Sequence, residues 1–509
     1  MVLASTDVIP RADYEAALAD RAAALARAES AEARLAALEQ QLAALKRQRF
    51  GASSENADQL TMFGSADIEL IEQEIRSEQP VTPKKKVSER QRLVLPKGLP
   101  EERVEIDLPE SEKVAADGTP LKRIGEEVTV KLCFKPATFV KKLIVRAKYA
   151  DPRQPEAGVR CARLPAQLID GSHLDASLGA HLLVSKYADH LPLFRIEEIY
   201  SRGGVTIPRS TLSDWVIALS GWLKPLVLRL HAALMQQSVI HVDETVLPLQ
   251  SVGRTISARA WAYVGRDPKI VVYDFTVDKA GQHVRDFLRS WKGGWLQADA
   301  ASNYDELYRQ RPDIREVGCW AHARRKFFEI AALADKNGQR VLAHEAVERI
   351  GELFAIERAA SEAGDSPPER GKRRQRDARP ILDGFRIWCD DALRELLPKS
   401  PTAQAIGYTL KHWAALTRYL DDGAIAIAID NNAAERALRE IAVGRKNWLF
   451  AGSERGGEAC AIATSLIETA KAHGHDPLAY LTDVLERLPT TLNRDIDALL
   501  PMNWAPRAA

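Results

Sequence analysis

Residues 11–48 are dominated by Ala, Leu, Glu and Arg with no Gly or Pro, and Leu35, Leu38, Leu42 and Leu45 fall at 3-4-3 spacing. That is an a/d seam, so residues 1–50 are expected to form a coiled coil or helical hairpin. Leu18 and Leu25 sit one position out of frame, which leaves a single amphipathic helix as the alternative. "KRQRFGASSEN" closes the segment. Residues 51–100 read as a basic linker, whose "EQPVTPKKKVSERQRLVLPKGLP" holds four prolines and six Lys/Arg. Such a stretch is extended and either attracts phosphate or is merely solvated. Short β-like runs, "EEVTVKLCFKP" and "TFVKKLIVRAKYA", mark a small β-rich module over 101–170. Residues 171–228 carry a helix-turn-helix rhythm: Leu193, Ile196 and Ile199 on one helix, a break at Gly203 and Gly204, then a helix from Pro208 or Ser210 with Leu212, Trp215 and Val216 inward. This would leave Arg209, Thr211 and Ser213 near the exposed start of the second helix, where recognition helices meet DNA. Ordinary helical proteins show the same rhythm.

Alternation changes over 229–330. "SVIHVDETVLPL", "ARAWAYVGRD" and "KIVVYDFTVDK" predict a three-strand meander,. "AGQHVRDFLRSW" is helical, "GGWLQADAASNYDEL" is a fourth strand, and "IREVGCWAHARRKFFEI" is a fifth strand entering a helix. The order β-β-β-α-β-α-β is that of a ribonuclease-H-like fold, in which the first and fourth strands are neighbours. Asp243 and Asp299 would then stand side by side. Two such carboxylates raise each other's pKa unless a cation neutralises them, and hard oxygen ligands favour magnesium or manganese. A two-metal site needs a third acid. Glu435, in "IDNNAAERALRE", is either that acid or a capping-box glutamate. Glu244 is a rival ligand that strand alternation turns to the other face, and Asp305 is a further acid nearby. The long gap before Glu435 predicts a helical insertion over 331–428. The core would resume over 429–475 with the helix that carries Glu435, and a helical tail would follow at 476–509. Within the insertion, "ERGKRRQRDARP" is either a solvated face or a DNA-contacting one.

Composition narrows the classes. The chain has 509 residues, 46% hydrophobic and 28% charged, with a net charge of +1. It is globular, and any affinity for nucleic acid must come from local patches. Five scattered cysteines are no disulfide framework and suggest a reducing compartment. With no signal-peptide pattern and no uninterrupted apolar run of membrane length, the expected location is the cytoplasm, with no membrane partner.

The stretches "RFGASSEN", "GTPLKRIGEEV", "LLVSKYADHLPLFRIEEIYSRGGVTIPRSTLSDWV", "HVDET", "LQADAASNYD", "CWAHARRKFFE", "DNNAAERALR", "GRKNWLFAGSERGGEACAIATSLIETAKAHGHDP" and "LLPMNW" together resemble transposases of the insertion-sequence-66 family of bacterial mobile elements. They span nearly the whole chain in family order. The resemblance implies a DDE transposase with a ribonuclease-H-like core. Asp243, Asp299 and Glu435 stand at the motif positions as metal ligands and catalytic acids, with two magnesium or manganese ions as cofactors. It implies transposon-end DNA and target DNA as partners, small accessory proteins of the same element, and a homo-oligomer that associates with the nucleoid when on DNA. A nuclease or resolvase without strand transfer, or an inactive DNA-binding repressor, remain alternatives.

One departure concerns zinc. Family members commonly carry two Cys-x-x-Cys pairs before the helix-turn-helix. Here "LPESEKVAADGTPL" and "KYADPRQPEAG" hold no cysteine, and Cys133 and Cys161 are single. The module is expected to be a metal-free relic, and no zinc is expected. Cys319 and His322 form a Cys-x-x-His pair, too few ligands alone for a metal. Packing of the fifth strand against the insertion is their expected role, with approach to the DNA backbone through Arg324, Arg325 and Lys326 as the alternative. "GRKNWLFAGSERGG" interleaves Arg445, Lys446, Trp448 and Phe450. These either meet a DNA end by stacking or are core residues with snorkelling charges.

Overall fold

The computed structural model describes Leu95 and residues 99–506, apart from 115–119, 136–137, 152, 154–157 and 422–426. The expected coiled coil and nearly all of the basic linker lie outside the described residues. Residues 92–509 group as one unit.

The first sheet holds β1 (Glu101–Ile106), β2 (Lys122–Lys135), β3 (Thr138–Ala150) and β4 (Val159–Cys161), with β3 pairing with the other three. Alternate residues of β3, Val145, Ala147 and Tyr149, are buried, as a strand with one covered face requires. Cys133 donates its thiol to the Val140 carbonyl at 3.2 Å. This sheet rests on helices: Phe139 meets Tyr200 edge-on at 5.2 Å, and Leu132 bridges to Leu174.

Helix α1 (Ala176–Tyr187) starts where the Asp175 carboxylate accepts from the Ser177 N–H. Helix α2 (Leu193–Arg202) follows, then a turn through Gly204 at φ +83°, then α3 (Arg209–Leu234). Val205 and Ile207, fully buried, anchor the turn between the two helices. Leu212, Trp215, Leu219, Leu223, Leu226, Leu230 and Leu234 form one buried stripe along α3, spaced as a helix face demands. The helix therefore runs unbroken past residue 228, through Pro225, and ties the helical segment to the central sheet. By length and composition alone α3 could cross a membrane; its stripe is occupied by this core.

The central sheet is built from β5 (Val239–Val246), β8 (Arg259–Arg266), β9 (Lys269–Thr276), β10 (Gly294–Gln297) and β11 (Ile314–Val317), in the order β11-β10-β5-β8-β9. β11, β10 and β5 run parallel, and β8 and β9 are antiparallel to their neighbours. Val239, Ile240, His241 and Val242 are all buried, as for a strand covered on both faces. A hairpin of β6 (Leu249–Ser251) and β7 (Arg254–Ile256) interrupts the expected meander. Helix α4 (Gly281–Phe287) precedes β10 and α5 (Asp305–Gln310) precedes β11. β10 enters beside β5 through Gly293 and Gly294, at φ +89° and +142°. A Cβ at 294 would collide with the Ser238 carbonyl, so only glycine admits the close approach.

Helices α6 (Trp320–Lys336), α7 (Leu342–Glu362), α8 (Pro367–Arg373), α9 (Arg379–Glu395), α10 (Pro401–Lys411) and α11 (Trp413–Thr417) form the insertion. Their core of Trp320, Phe327, Ile350, Leu382 and Phe385 continues onto Val239, Trp295 and Val317 of the sheet. The basic stretch at 369–380 is largely spent internally. Arg373 pairs with Asp365 and Arg376 with Asp377. Arg374, 2% exposed, forks onto Glu357 at 2.7 and 2.8 Å and donates to the carbonyls of Tyr419 and Ile427. The chain then returns as α12 (Asn432–Trp448), α13 (Glu454–Ala472) and α14 (Pro477–Arg487). α12 packs on β5 and β8, and α13 on β9 and α3.

Glu357→Ala would leave the Arg374 guanidinium buried and unpaired, which costs about 3–5 kcal/mol. Denaturant unfolding should show a loss of that size, with the transition of Arg376→Ala, an exposed partner, nearly unmoved.

Candidate active site

The geometry starts from strand register. Gln297 of β10 lies opposite His241 of β5, 56 positions earlier. Asp299 follows Asp243 by the same 56 positions. Asp299 lies two residues beyond the last paired position of β10, so the same offset points it toward Asp243, and its charge acts on the Asp243 carboxyl. The Asp243 carboxylate accepts from the Glu244 N–H at 2.9 Å.

Glu435 arrives from the first turn of α12. Asn431, fully buried at the head of that helix, is held on three sides. Its Nδ2 donates to the Val242 carbonyl at 2.8 Å. That fixes the amide orientation, so the His241 Nδ1–H donates to Asn431 Oδ1 at 3.2 Å,. The Asn431 N–H donates to Cys319 Sγ at 3.2 Å. Glu435 makes no capping box. The Asn432 N–H is taken by Asp430 at 3.1 Å, while Glu435 Oε1 lies 3.9 Å from Cys319 Sγ and 3.5 Å from His322 Nδ1. Its other oxygen lies 3.9 Å from Arg325.

Burial and mutual repulsion set the electrostatics. Burial is the main cause that pushes Asp243 up to about 8, with the charges of Asp299, Glu435 and Glu244 adding to it. Asp299 is raised by burial and by Glu435, against His322, and its Oδ1 is buried with no hydrogen-bond partner. Glu244 is raised by burial and by Asp299, and accepts from Asn303 at 3.2 Å. Burial lowers His322, and takes His241 down to about 4, so the His241 imidazole is neutral. An orphaned carboxylate oxygen among repelling acids fits a hard divalent cation. Asp243, Asp299 and Glu435 are the residues that could hold one. A cavity of about 230 Å³ opens beside Asp299, lined by His322, Arg325, Lys326, Glu329 and Tyr408.

The family described as "Transposase IS66 family" matches residues 171–459, which include every one of these residues. The chain belongs to that family. "IS66 C-terminal element" matches 465–502 and "Transposase C of IS166 homeodomain" matches 37–104. Among curated relatives, Uncharacterized protein y4jD of Sinorhizobium fredii is 38% identical over 81% of each chain. Uncharacterized protein y4hP of the same organism is 32% identical over 81% of this chain and 77% of its own.

For this IS66-family chain, the remaining expected site residues are spread widely. Arg209 and Ser213 are exposed and Thr211 half-buried at the start of α3; Arg209 pairs with Glu197 at 3.3 Å. On α6, Arg325 and Lys326 are exposed and line the cavity, whereas Arg324 lies over the Phe328 ring. Arg445 is committed to Thr245 Oγ1 at 3.1 Å and to the Val246 carbonyl, and so braces the end of β5. Trp448 is half-buried with Lys186 5.6 Å over its ring, and Lys446 is exposed. Sequence reading missed Asn431, His241 and Tyr408 as parts of the site. Asn431 carried a signal, an amide at a helix start, but its burial depends on a strand 190 positions earlier.

Asp243 holds its proton up to about 8 in the folded chain but only to 3.8 when unfolded. The folded form binds the extra proton in that window, so stability of the metal-free protein should fall as pH rises from 3.8 to about 8,. Thermal unfolding of chelator-treated protein should show that decline, flattened in Asp243→Asn. Magnesium, which favours the ionised form, should raise the transition most at the upper end.

Proposed function

We propose that this family member is a DDE-type DNA transposase with a ribonuclease-H-like core, using Asp243, Asp299 and Glu435 as ligands for two magnesium or manganese ions. The observation that carries this reading is the shared 56-residue offset that points Asp299 toward Asp243, with Glu435 aimed out of its helix rather than back at the cap. The strand order β11-β10-β5-β8-β9 supports the fold assignment. When bound, the ions stabilise charge on the attacking and leaving oxygens of a phosphodiester.

The chain's own residues do the positioning. Pairing with β8 holds Asp243, the end of β10 delivers Asp299, and Asn431 holds the helix that delivers Glu435. Arg325 and Lys326 sit where a phosphate backbone would pass Asp299, and Arg209 at the exposed end of α3 offers a second contact. Hydrolysis at the element's end frees a 3′-hydroxyl, which then attacks target DNA in the same site. No covalent protein intermediate is needed. The helix-turn-helix reading of α2 and α3 rests on the turn at Gly203–Gly204 and the exposed start of α3.

Asp243→Asn, Asp299→Asn and Glu435→Gln should each keep near wild-type affinity for transposon-end DNA in a calcium gel shift, and lose nicking and joining in magnesium. Arg209→Ala should instead weaken binding and flatten its salt dependence, by about 0.9 in log–log slope for one lost phosphate contact. Joining by Asp243→Asn would move the chemistry to Glu244 or Asp305. Wild-type nicking without joining would make the protein a nuclease.

A further inference from the structure

Cys319 Sγ, His322 Nδ1 and a Glu435 carboxylate oxygen all lie within 4.8 Å of one another. The sulfur–oxygen and nitrogen–oxygen separations are 3.9 and 3.5 Å. In a tetrahedral zinc site with bonds of about 2.0–2.3 Å, neighbouring ligand atoms stand about 3.3–3.8 Å apart. The sulfur–oxygen and nitrogen–oxygen separations are therefore already close to two edges of such a tetrahedron. Cys319 caps α6 and His322 lies in its first turn, which places both on one side of the helix end.

The local chemistry suits a metal better than a hydrogen bond. A thiol donating to Glu435 would account for the 3.9 Å contact, but it leaves His322 Nδ1 buried with no hydrogen-bond partner. Cys319 Sγ faces two backbone N–H groups, those of Asn431 and His322, and the N-terminus of α6. Both favour a thiolate. Burial and the charges of Glu435 and Asp430 otherwise push the thiol up to about 12; a cation at this point reverses the sign of those influences. His322 Nδ1 is free to coordinate, and the residue lines the cavity beside Asp299, which gives an entry path. Thiolate and imidazole select zinc-type ions over magnesium.

We infer that Cys319, His322 and Glu435 form a binding site for one zinc-type divalent cation, sharing only Glu435 with the carboxylate set. Binding displaces the thiol proton to solvent. Sequence reading counted two ligands and expected no zinc; the third comes from 116 positions further on. An ion held on Glu435 Oε1 competes with Asp243 and Asp299 for this carboxylate, so occupancy reduces magnesium-dependent cleavage. That consequence rests on the proposed function; the metal site itself does not.

Cobalt(II) tests the site directly in the full-length protein. Chelator-treated wild type should take up one equivalent with a near-ultraviolet thiolate-to-cobalt charge-transfer band, displaced by zinc. Cys319→Ser should lose the band and Asp243→Asn should keep it. Should Cys319→Ser fail to fold, His322→Gln retains the thiol and should weaken cobalt binding by at least about tenfold. No band in wild type at saturating cobalt overturns the proposal. So does an unchanged band in Cys319→Ser, which would point to another thiol such as the half-buried Cys161, or loss of the band in Asp243→Asn. In the nicking assay, zinc at ten times its Kd should reduce magnesium-dependent activity about tenfold; undiminished nicking with the band saturated overturns the competition. A wild type that shows the band but never nicks counts against the catalytic reading alone.

Discussion

The site depends on one buried amide. Asn431 uses its side-chain N–H on the Val242 carbonyl, its side-chain oxygen on His241 and its backbone N–H on Cys319. The partners come from two parts of the architecture: two are on β5, one at the junction of β11 and α6. Its carbonyl accepts from the Ala434 and Glu435 N–H groups, so the same residue starts the helix and anchors it. A buried amide with unmet hydrogen bonds is costly, so this head of α12 has few other places to sit. The distance between Glu435 and the aspartates follows from that constraint, not from any contact Glu435 makes with them.

Sequence carried much of this, for identifiable reasons. The β-branched run that carries Asp243 and the short apolar run that ends at Asp299 are both legible, and the order of the strands suggests that the two aspartates meet. Both signals are local. Glu435 was legible only as an ambiguity, since a first-turn glutamate favours the helix N-terminus wherever its side chain points. Other features hinge on distant partners. Arg374 sits in a run of cations that reads as a surface, yet Glu357 and two carbonyls draw it inside. Arg445 reads as a phosphate contact until Thr245 and Val246 are found in its reach. The β6–β7 hairpin escaped because three-residue strands carry too little pattern; its Leu249 pairs with Ala451 just after α12. Helix α3 crossed the expected boundary at 228 because its apolar stripe never stops.

The two buried charge clusters obey the same rule and reach opposite outcomes. In the insertion, Glu357 meets Arg374 with matched fork geometry, and the remaining guanidinium donors find carbonyls, so the ions are compensated within the chain. At the aspartates the acids are gathered with no buried Lys or Arg among the described residues beside them. Asp243 is pushed up and an Asp299 oxygen is left unpartnered. Strand pairing and the Asn431 clamp hold that arrangement against its own repulsion. Under the proposed function, the divalent ions are the partner that offsets this repulsion.

Glu435 then stands between two donor sets of different character. On one side are the carboxylates of Asp243 and Asp299, whose charges it adds to, on the other a sulfur and an imidazole. Hard cations are drawn to carboxylate sets and borderline-soft ones to thiolate and imidazole, so under the two proposals above the identity of the ion would decide where the carboxylate is committed. The Cys-x-x-His pair at the start of α6 thus acquires a chemical reason to lie beside the acids. Simple packing of β11 against the insertion would be met by Gly318 and Trp320 alone, through the Ala415 and Leu416 carbonyls.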